Sequence, residues 1–238
     1  MIITAHQPLY MPWLGFFHKM ILADTICILD DVQFSDGDNI NRNKIKTQFG
    51  TKWLTVPVKK KNHLSKQIRQ IEIADLEWKN RHLALIRQSY SKTAFFSSYI
   101  DSFDEIINGT NYQYLIDLDM VVLKFLLREL GINTNIIMSS ELNIKETKSD
   151  LILSICQELG ADVYISGQNG PKYLNVEDFK GEKKQIMVQQ YRHPNYSQSF
   201  GDFIPNLSVI DLLFNYGPQS RDIIMQGNPK SWNELPTV

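Results

Sequence analysis

The sequence predicts an α/β fold: a mostly parallel, Rossmann-like three-layer sheet with an additional helical block. Three observations carry the prediction. Two short apolar runs, Ile2–Ala5 and Thr25–Leu29, enclose one amphipathic helical stretch. The same alternation of strand and helix returns over Asn135–Ser166. Between the two, residues 76–131 show helical spacing only. A helix joining two short apolar strands is the βαβ unit of a parallel sheet, and such helices cover the sheet's faces.

Ile2–Ala5 suits a buried strand. Pro8 and Pro12 order the loop Gln7–Met11, and Pro12 suits a first helical turn, where its missing N–H is no loss. Trp13, Phe16, Phe17, Met20 and Ile21 share one helical face, with Gly15, His18 and Lys19 off it. Thr25–Leu29 is the second strand, ending at Asp30 and Asp31. The polar stretch Ser35–Asn43 reads as a loop around Gly37. Trp53–Val58 predicts a third strand, stopped or edged by Pro57, and Ile71–Ile73 a short fourth. Leu76–Tyr90, Ala94–Ile107 and Gln113–Leu130 predict helices, the last stopped by Gly131. Asn135–Met138 returns to strand. Thr147–Leu159 is a helix with Thr147 as its N-cap and Gly160 past its end. Val163–Ser166 is a strand leading into a glycine loop. Ile186–Gln190 predicts a strand, Ser208–Phe214 the start of a helix, and residues 221–238 a loosely held tail. The whole reads as one domain over residues 1–238.

A chain of 238 residues buries about 70% of its unfolded surface, so it needs neither disulfide nor structural metal. Its 25 basic and 26 acidic residues nearly cancel, which argues against a nucleic-acid partner. Cys27 and Cys156 lie in apolar runs and read as buried free thiols of a reducing compartment. No CxxC or HExxH occurs, so spacing gives no metal site. The first residues lack the basic and apolar regions of a signal peptide, and no run of about 18 apolar residues predicts a membrane span. A cytoplasmic protein is the expectation.

Candidate chemistry falls on loops after strands. In an open parallel sheet, ligands sit beyond the carboxyl ends of strands, near helix N-termini whose free N–H groups attract anions. His6, Gln7, Tyr10 and Trp13 follow the first strand; a proline-ordered turn with a capping histidine accounts for them equally well. Asp30 ends the second strand, where a carboxylate would hold a hydroxyl, an amine or Mg²⁺, or simply form a turn. Nine basic residues from Arg42 to Arg69 are uninterrupted by any acid, while five aspartates lie between Asp24 and Asp38. Within that basic block Asn41, Arg42, Asn43 and Lys44 are candidates for an anionic ligand, since arginine matches phosphate or carboxylate oxygens in a fork; Lys59, Lys60 and Lys61 read as a solvated loop. Ser166, Gly167, Gly170, Lys172 and Tyr173 form a glycine loop that is neither a Rossmann fingerprint nor a phosphate-binding P-loop. His193, near Tyr196 and Gln198, is a candidate general base, or part of a structural turn. His63 and His82 are expected on solvated faces; His18 stays within reach of the site.

The segments HQPLYMPWLGFF, NRNKI, YISGQNGPKYL, HPNYSQ and SVIDLLFNYG occur in that order. Jointly they resemble the WbqC-like protein family over residues 1–220. The matching positions are His6, Gln7, Pro8, Tyr10, Pro12, Trp13 and Gly15 in the first loop and helix, Asp30 and Gln33, then Asn41, Arg42 and Asn43. Later come Ser166, Gly167, Gly170, Tyr173 and Leu174, followed by Tyr196, Gln198, Asp211, Asn215 and Gly217. The resemblance implies a place in bacterial O-antigen, other surface-polysaccharide or secondary-metabolite biosynthesis, and a role as an aminoacyl (glycine) transferase acting on an amino-sugar.

The expectation is therefore an enzyme that transfers an acyl or aminoacyl group to an amino-sugar or similar amine. His6, His193 and Asp30 are its expected catalytic residues, and a small anionic or sugar-type molecule its substrate. The cofactor stays open between a nucleotide and an activated acyl donor, with or without Mg²⁺. Two alternatives stand beside it. One is an ATP-dependent amide-forming ligase, by analogy with nucleotidyltransferase-type folds, although their HxGH signature is missing here. The other is a non-catalytic binding subunit of a glycan-assembly complex.

Overall fold

The computed structural model describes residues 1–238. The chain runs through β1 (Ile2–His6), α1 (Leu14–Ile21), β2 (Thr25–Ile28), β3 (Arg42–Thr47) and β4 (Gly50–Thr55). It continues through α2 (Glu77–Tyr90), α3 (Phe96–Asn108), α4 (Leu115–Glu129), β5 (Asn135–Met138) and α5 (Lys148–Glu158). It ends through β6 (Val163–Ser166), α6 (Val176–Gly181), β7 (Gln185–Val188), α7 (Val209–Tyr216) and α8 (Ser220–Met225).

Five parallel strands make the main sheet, in the order β5-β2-β1-β6-β7. Taken in chain order these strands stand 3-2-1-4-5, the Rossmann-like arrangement. The connections leave β1 in opposite directions, so a crevice opens beyond the carboxyl ends of β1 and β6.

Alternate side chains of each strand face opposite ways, and the apolar clusters divide accordingly. Ile3, Ala5, Cys27, Tyr164 and Ile186 pack with Leu151, Ile152 and Ile155 of α5 and Phe179 of α6. Val163, Ile165 and Met187 pack with Leu22, Ala23 and Leu235. Ile26 and Ile28 join the largest cluster, shared with α1, α2, α3, α4 and α7. Helices thus flank both faces of the sheet, and the helical block of α2, α3 and α4 extends one of them.

Four details depart from the sequence reading. Arg42 and Asn43 are not in a loop; they begin β3, which pairs antiparallel with β4 in a separate two-stranded hairpin. The third predicted strand therefore lies outside the main sheet and runs over Gly50–Thr55. The predicted strand at Ile71–Ile73 is only a pair of isolated bridges, Val58 with Ile73 and Glu72 with Tyr114. His63 and His82 are buried, at 8% and 5% exposure. His82 bonds Tyr10 Oη at 3.1 Å through Nδ1, and its ring stands 5.0 Å from Trp78.

The tail is also held. Val188 N–H donates to Pro236 O and Val238 N–H to Ile186 O, so the last residues pair along the β7 edge. Leu235 is 4% exposed. A sheet edge leaves unpaired N–H and C=O groups, and the C-terminal segment satisfies some of them.

Candidate functional site

A cavity of about 670 Å³ fills the crevice beyond β1 and β6. The end of β1 gives Ala5, His6 and Gln7; α1 and the residue before it give Trp13, Gly15, Phe16 and Lys19. The glycine loop after β6 gives Gly167, Gln168, Asn169, Gly170 and Tyr173. The segment after β7 gives Gln189, Tyr191 and His193, and Lys148 and Asn206 complete the polar rim. No Asp or Glu lines the cavity.

His6 Nδ1 lies 2.9 Å from Gln7 O, so that nitrogen carries the proton and donates. Its ring meets Phe16 edge-on at 5.2 Å. Burial, with the Lys19 charge nearby, lowers its pKa to about 3. His6 is therefore neutral at pH 7, with its Nε2 lone pair free of the Nδ1 bond.

His193 is arranged alike. Its Nδ1–H donates to Pro194 O at 2.9 Å, burial lowers its pKa, and its buried Nε2 has no partner. Tyr191 Oη, two residues earlier, is also buried without a partner, and burial raises its pKa. The Tyr191 ring stands 6.1 Å from His193 and 5.6 Å from Trp13. Buried polar atoms are nearly always hydrogen-bonded, so two unpaired ones on neighbouring cavity-lining residues are unusual.

Gly15 makes room for Trp13. A Cβ on Gly15 would overlap the indole ring, which lies across the first turn of α1. Gln189 Nε2–H donates to Gly15 O and approaches His18 Nδ1, both at 2.8 Å. His18 Nε2–H in turn donates to Pro229 O at 2.9 Å. His18 thus ties α1 to the tail and does not line the cavity.

The expected site residues divide. His6, Gln7, Trp13, Gly167, Gly170, Tyr173 and His193 come together around the cavity. Ser166 does not join them: it is 0% exposed, and Gly170 packs so closely over it that a Cβ there would overlap Ser166 Oγ. Lys172 also lies outside the lining.

Asp30 is likewise absent from the lining. Its carboxylate accepts from Ser139 Oγ, Ser140 N–H and Ser140 Oγ at 2.7–3.1 Å, which clamps the end of β2 to the turn after β5. Tyr10 bonds His82, and Asn41 Nδ2 donates to Val56 O. Asn43 Nδ2 donates to Met11 O at 2.7 Å. Arg42 donates to Gly37 O and covers the Trp53 ring at 4.5 Å. Tyr196 donates to Asp211, and Gln198 accepts from Lys46. None of these residues lines the cavity.

Lys19, Gln189 and Tyr191 were not anticipated as site residues. For Lys19 a signal existed: α1 is LGFFHKMI, and a helix so nearly apolar all round is buried on every side. Its one lysine then has to end against solvent-free surroundings or in a cavity.

The WbqC-like protein family matches residues 7–223. An uncharacterized protein of Mycobacterium tuberculosis, Rv1507c, is 31% identical over 219 residues, 92% of this chain and 95% of that protein. No solved structure gives a significant match. With the match running from the loop after β1 through most of α8, the chain belongs to the WbqC-like protein family.

Proposed function

We propose that this protein is an enzyme that transfers an acyl or aminoacyl group to the amine of an amino-sugar or similar metabolite, in the biosynthesis of a bacterial surface polysaccharide or secondary metabolite. The observation that carries the reading is an acid-free cavity at the carboxyl ends of β1 and β6, lined by two histidines, His6 and His193, whose pKa values burial lowers. The acceptor amine attacks the carbonyl carbon of an activated acyl donor. His193 Nε2 takes the proton the amine loses. The carbonyl electrons return, the leaving group departs, and His193 gives the proton to it. In this reading Tyr191 O–H donates to the oxygen that gains charge. His6, neutral and fixed by Gln7 O, is a second acceptor at the β1 end. Trp13 and Tyr191 offer aromatic faces for a sugar ring. Asp30, with its carboxylate already bonded, takes no part.

Two buried, unpaired cysteines suit a reducing compartment, and we place the activity in the cytoplasm. No helix is long and apolar enough to cross a membrane.

The test is to incubate the protein with nucleotide-linked amino-sugars and activated acyl or aminoacyl donors and to follow amide formation by mass spectrometry. Amide product in the wild type, lost in His193→Gln, is the expected result. No amide with any donor, or equal product from His193→Gln, would overturn the reading. Because the switch-point crevice of such sheets is a nucleotide-binding position, the second reading is an ATP-dependent amide ligase. Pyrophosphate released on mixing with ATP, an amino acid and an amine is its distinguishing signal.

A further inference from the structure

The cavity contains a buried cation with no counter-ion. Lys19 is 4% exposed. Its ammonium carries three N–H donors, and the structure gives it one acceptor, Ala5 O at 3.1 Å. No ion pair involves it, and no carboxylate lines the cavity it borders. The other buried lysines are better satisfied. Lys46 Nζ reaches Gln198 Oε1, Gly201 O and Asp202 O, and Lys79 Nζ reaches Thr110 O and Asn111 Oδ1. An ammonium removed from water without compensation is unfavourable, and burial lowers the Lys19 pKa to about 8, a cost that an arriving anion offsets.

We propose that Lys19 is the binding site for a single negative charge on the substrate, a carboxylate or a phosphodiester. The charge inventory sets the number. The histidines on the wall are neutral, no acid is present, and Lys148 stands exposed at the rim, where water screens it. One dry positive charge balances one negative charge; a dianion would leave an uncompensated charge in the same walls. The two free N–H donors of Lys19 match the two oxygens of a carboxylate or of a phosphodiester. This names the charge of the substrate in the transfer reading and rests on that reading only for which reaction follows.

The experiment is thermal melting of the full chain with sodium acetate or dimethyl phosphate, each against sodium chloride at matched ionic strength. Wild type and Lys52→Gln, a change on the exposed hairpin, are expected to show a saturable rise in Tm of about 2–4 °C beyond chloride with at least one of the two anions. Lys19→Gln and Lys19→Met are expected to show none, with anion-free melting at or above the wild-type temperature. The anion that responds identifies the group. Independently, reductive dimethylation with formaldehyde, read on the Lys19 peptide by mass spectrometry, is expected to fall severalfold when that anion is present. No anion-specific rise in the wild type, a rise retained by the Lys19 variants, or unprotected dimethylation overturns the proposal. A normal anion response without any amide product would leave Lys19 as proposed and remove the transfer reading alone.

Discussion

Two groups of polar side chains include residues of the family's motifs, and they differ in whether their hydrogen bonds are complete. At the junction of the hairpin, α2 and α7, Asp211 accepts from Tyr90 Oη and Tyr196 Oη, both at 2.9 Å. There too Asn43 Nδ2 meets Met11 O, and Lys46 is fully engaged. In the crevice, Tyr191 Oη and His193 Nε2 have no partner and Lys19 has one. Asn43, Tyr196 and Asp211 of the first group and His193 of the second lie in segments that carry the family resemblance, so motif content does not separate the two groups. Completed hydrogen bonding does: the first group is satisfied within the chain, and the second keeps unpaired polar atoms.

Asp211 offers the hardest test of that division. Asp211→Ala leaves two buried phenol hydroxyls without their acceptor, each worth about 1–3 kcal/mol, so a loss of about 2–6 kcal/mol is expected in urea unfolding. Asp211→Asn, which keeps an acceptor, is expected to lose less. If Asp211→Ala unfolded at the wild-type midpoint, hydrogen-bond completeness would not mark structural residues. On the crevice side the effect falls on rate. His193→Gln is expected to lower amide formation by about 10²–10⁴-fold while the urea midpoint changes by less than about 1 kcal/mol. The reverse pattern, a large stability loss with activity retained, would merge the two groups into one.

Asn43→Ala comes next. Met11 sits at φ 48°, in the left-handed region that a non-glycine residue rarely takes, and its carbonyl is held by Asn43. Losing that buried bond is expected to lower unfolding free energy by about 1–3 kcal/mol, read from the urea midpoint. Because the same loop leads to Trp13, substrate affinity is expected to weaken as well. An unchanged midpoint would mean the loop is fixed by Tyr10 alone, whose N–H donates to Asn39 O and Ile40 O.

How far the sequence could carry these distinctions depends on what each residue's neighbours are. β1, β2 and β6 were legible because strands buried on both faces are continuous apolar runs, as ICIL and VYIS are. The helices of residues 76–131 were legible from apolar spacing. β3 was not: RNKIKT reads as a charged loop, yet Ile45 and the stems of Lys46 and Thr47 are buried against α2 and α7. The held tail was not legible either, since its partners at Ile186 and Val188 lie about fifty residues away. At the cavity, strand-end position pointed to His6 and Gln7, because a parallel sheet gathers its carboxyl ends on one side, while His193 stood out from the polar and aromatic cluster around Pro194. The same rule included Asp30, and nothing in the sequence showed that Ser139 and Ser140, over 100 positions later, would occupy its carboxylate. A lysine off an apolar stripe ordinarily faces water, so helical spacing alone does not bring Lys19 into a site.

Asp119 strains the comparison and so sharpens it. Both carboxylate oxygens are buried without partners, like the crevice orphans, but the residue lies on α4 at 1% exposure and borders no part of the cavity. Unpartnered polar atoms alone therefore do not mark a ligand site. In its place in the helical block the group answers to pH instead. Burial raises its pKa well above the ordinary carboxylate value. Below the unfolded-state value both states hold the proton and the residue contributes nothing. As pH rises past that value the unfolded chain releases its proton while the folded one keeps it, so stability falls until pH passes the folded value. The slope from this one group is at most about 1.4 kcal/mol per pH unit. Urea midpoints of the wild type and Asp119→Asn across pH 4.5 to 8 are expected to diverge, the wild type losing stability with rising pH relative to the variant. Parallel curves would mean that Asp119 finds a hydrogen-bond donor when folded, and would return it to the group whose hydrogen bonds are complete.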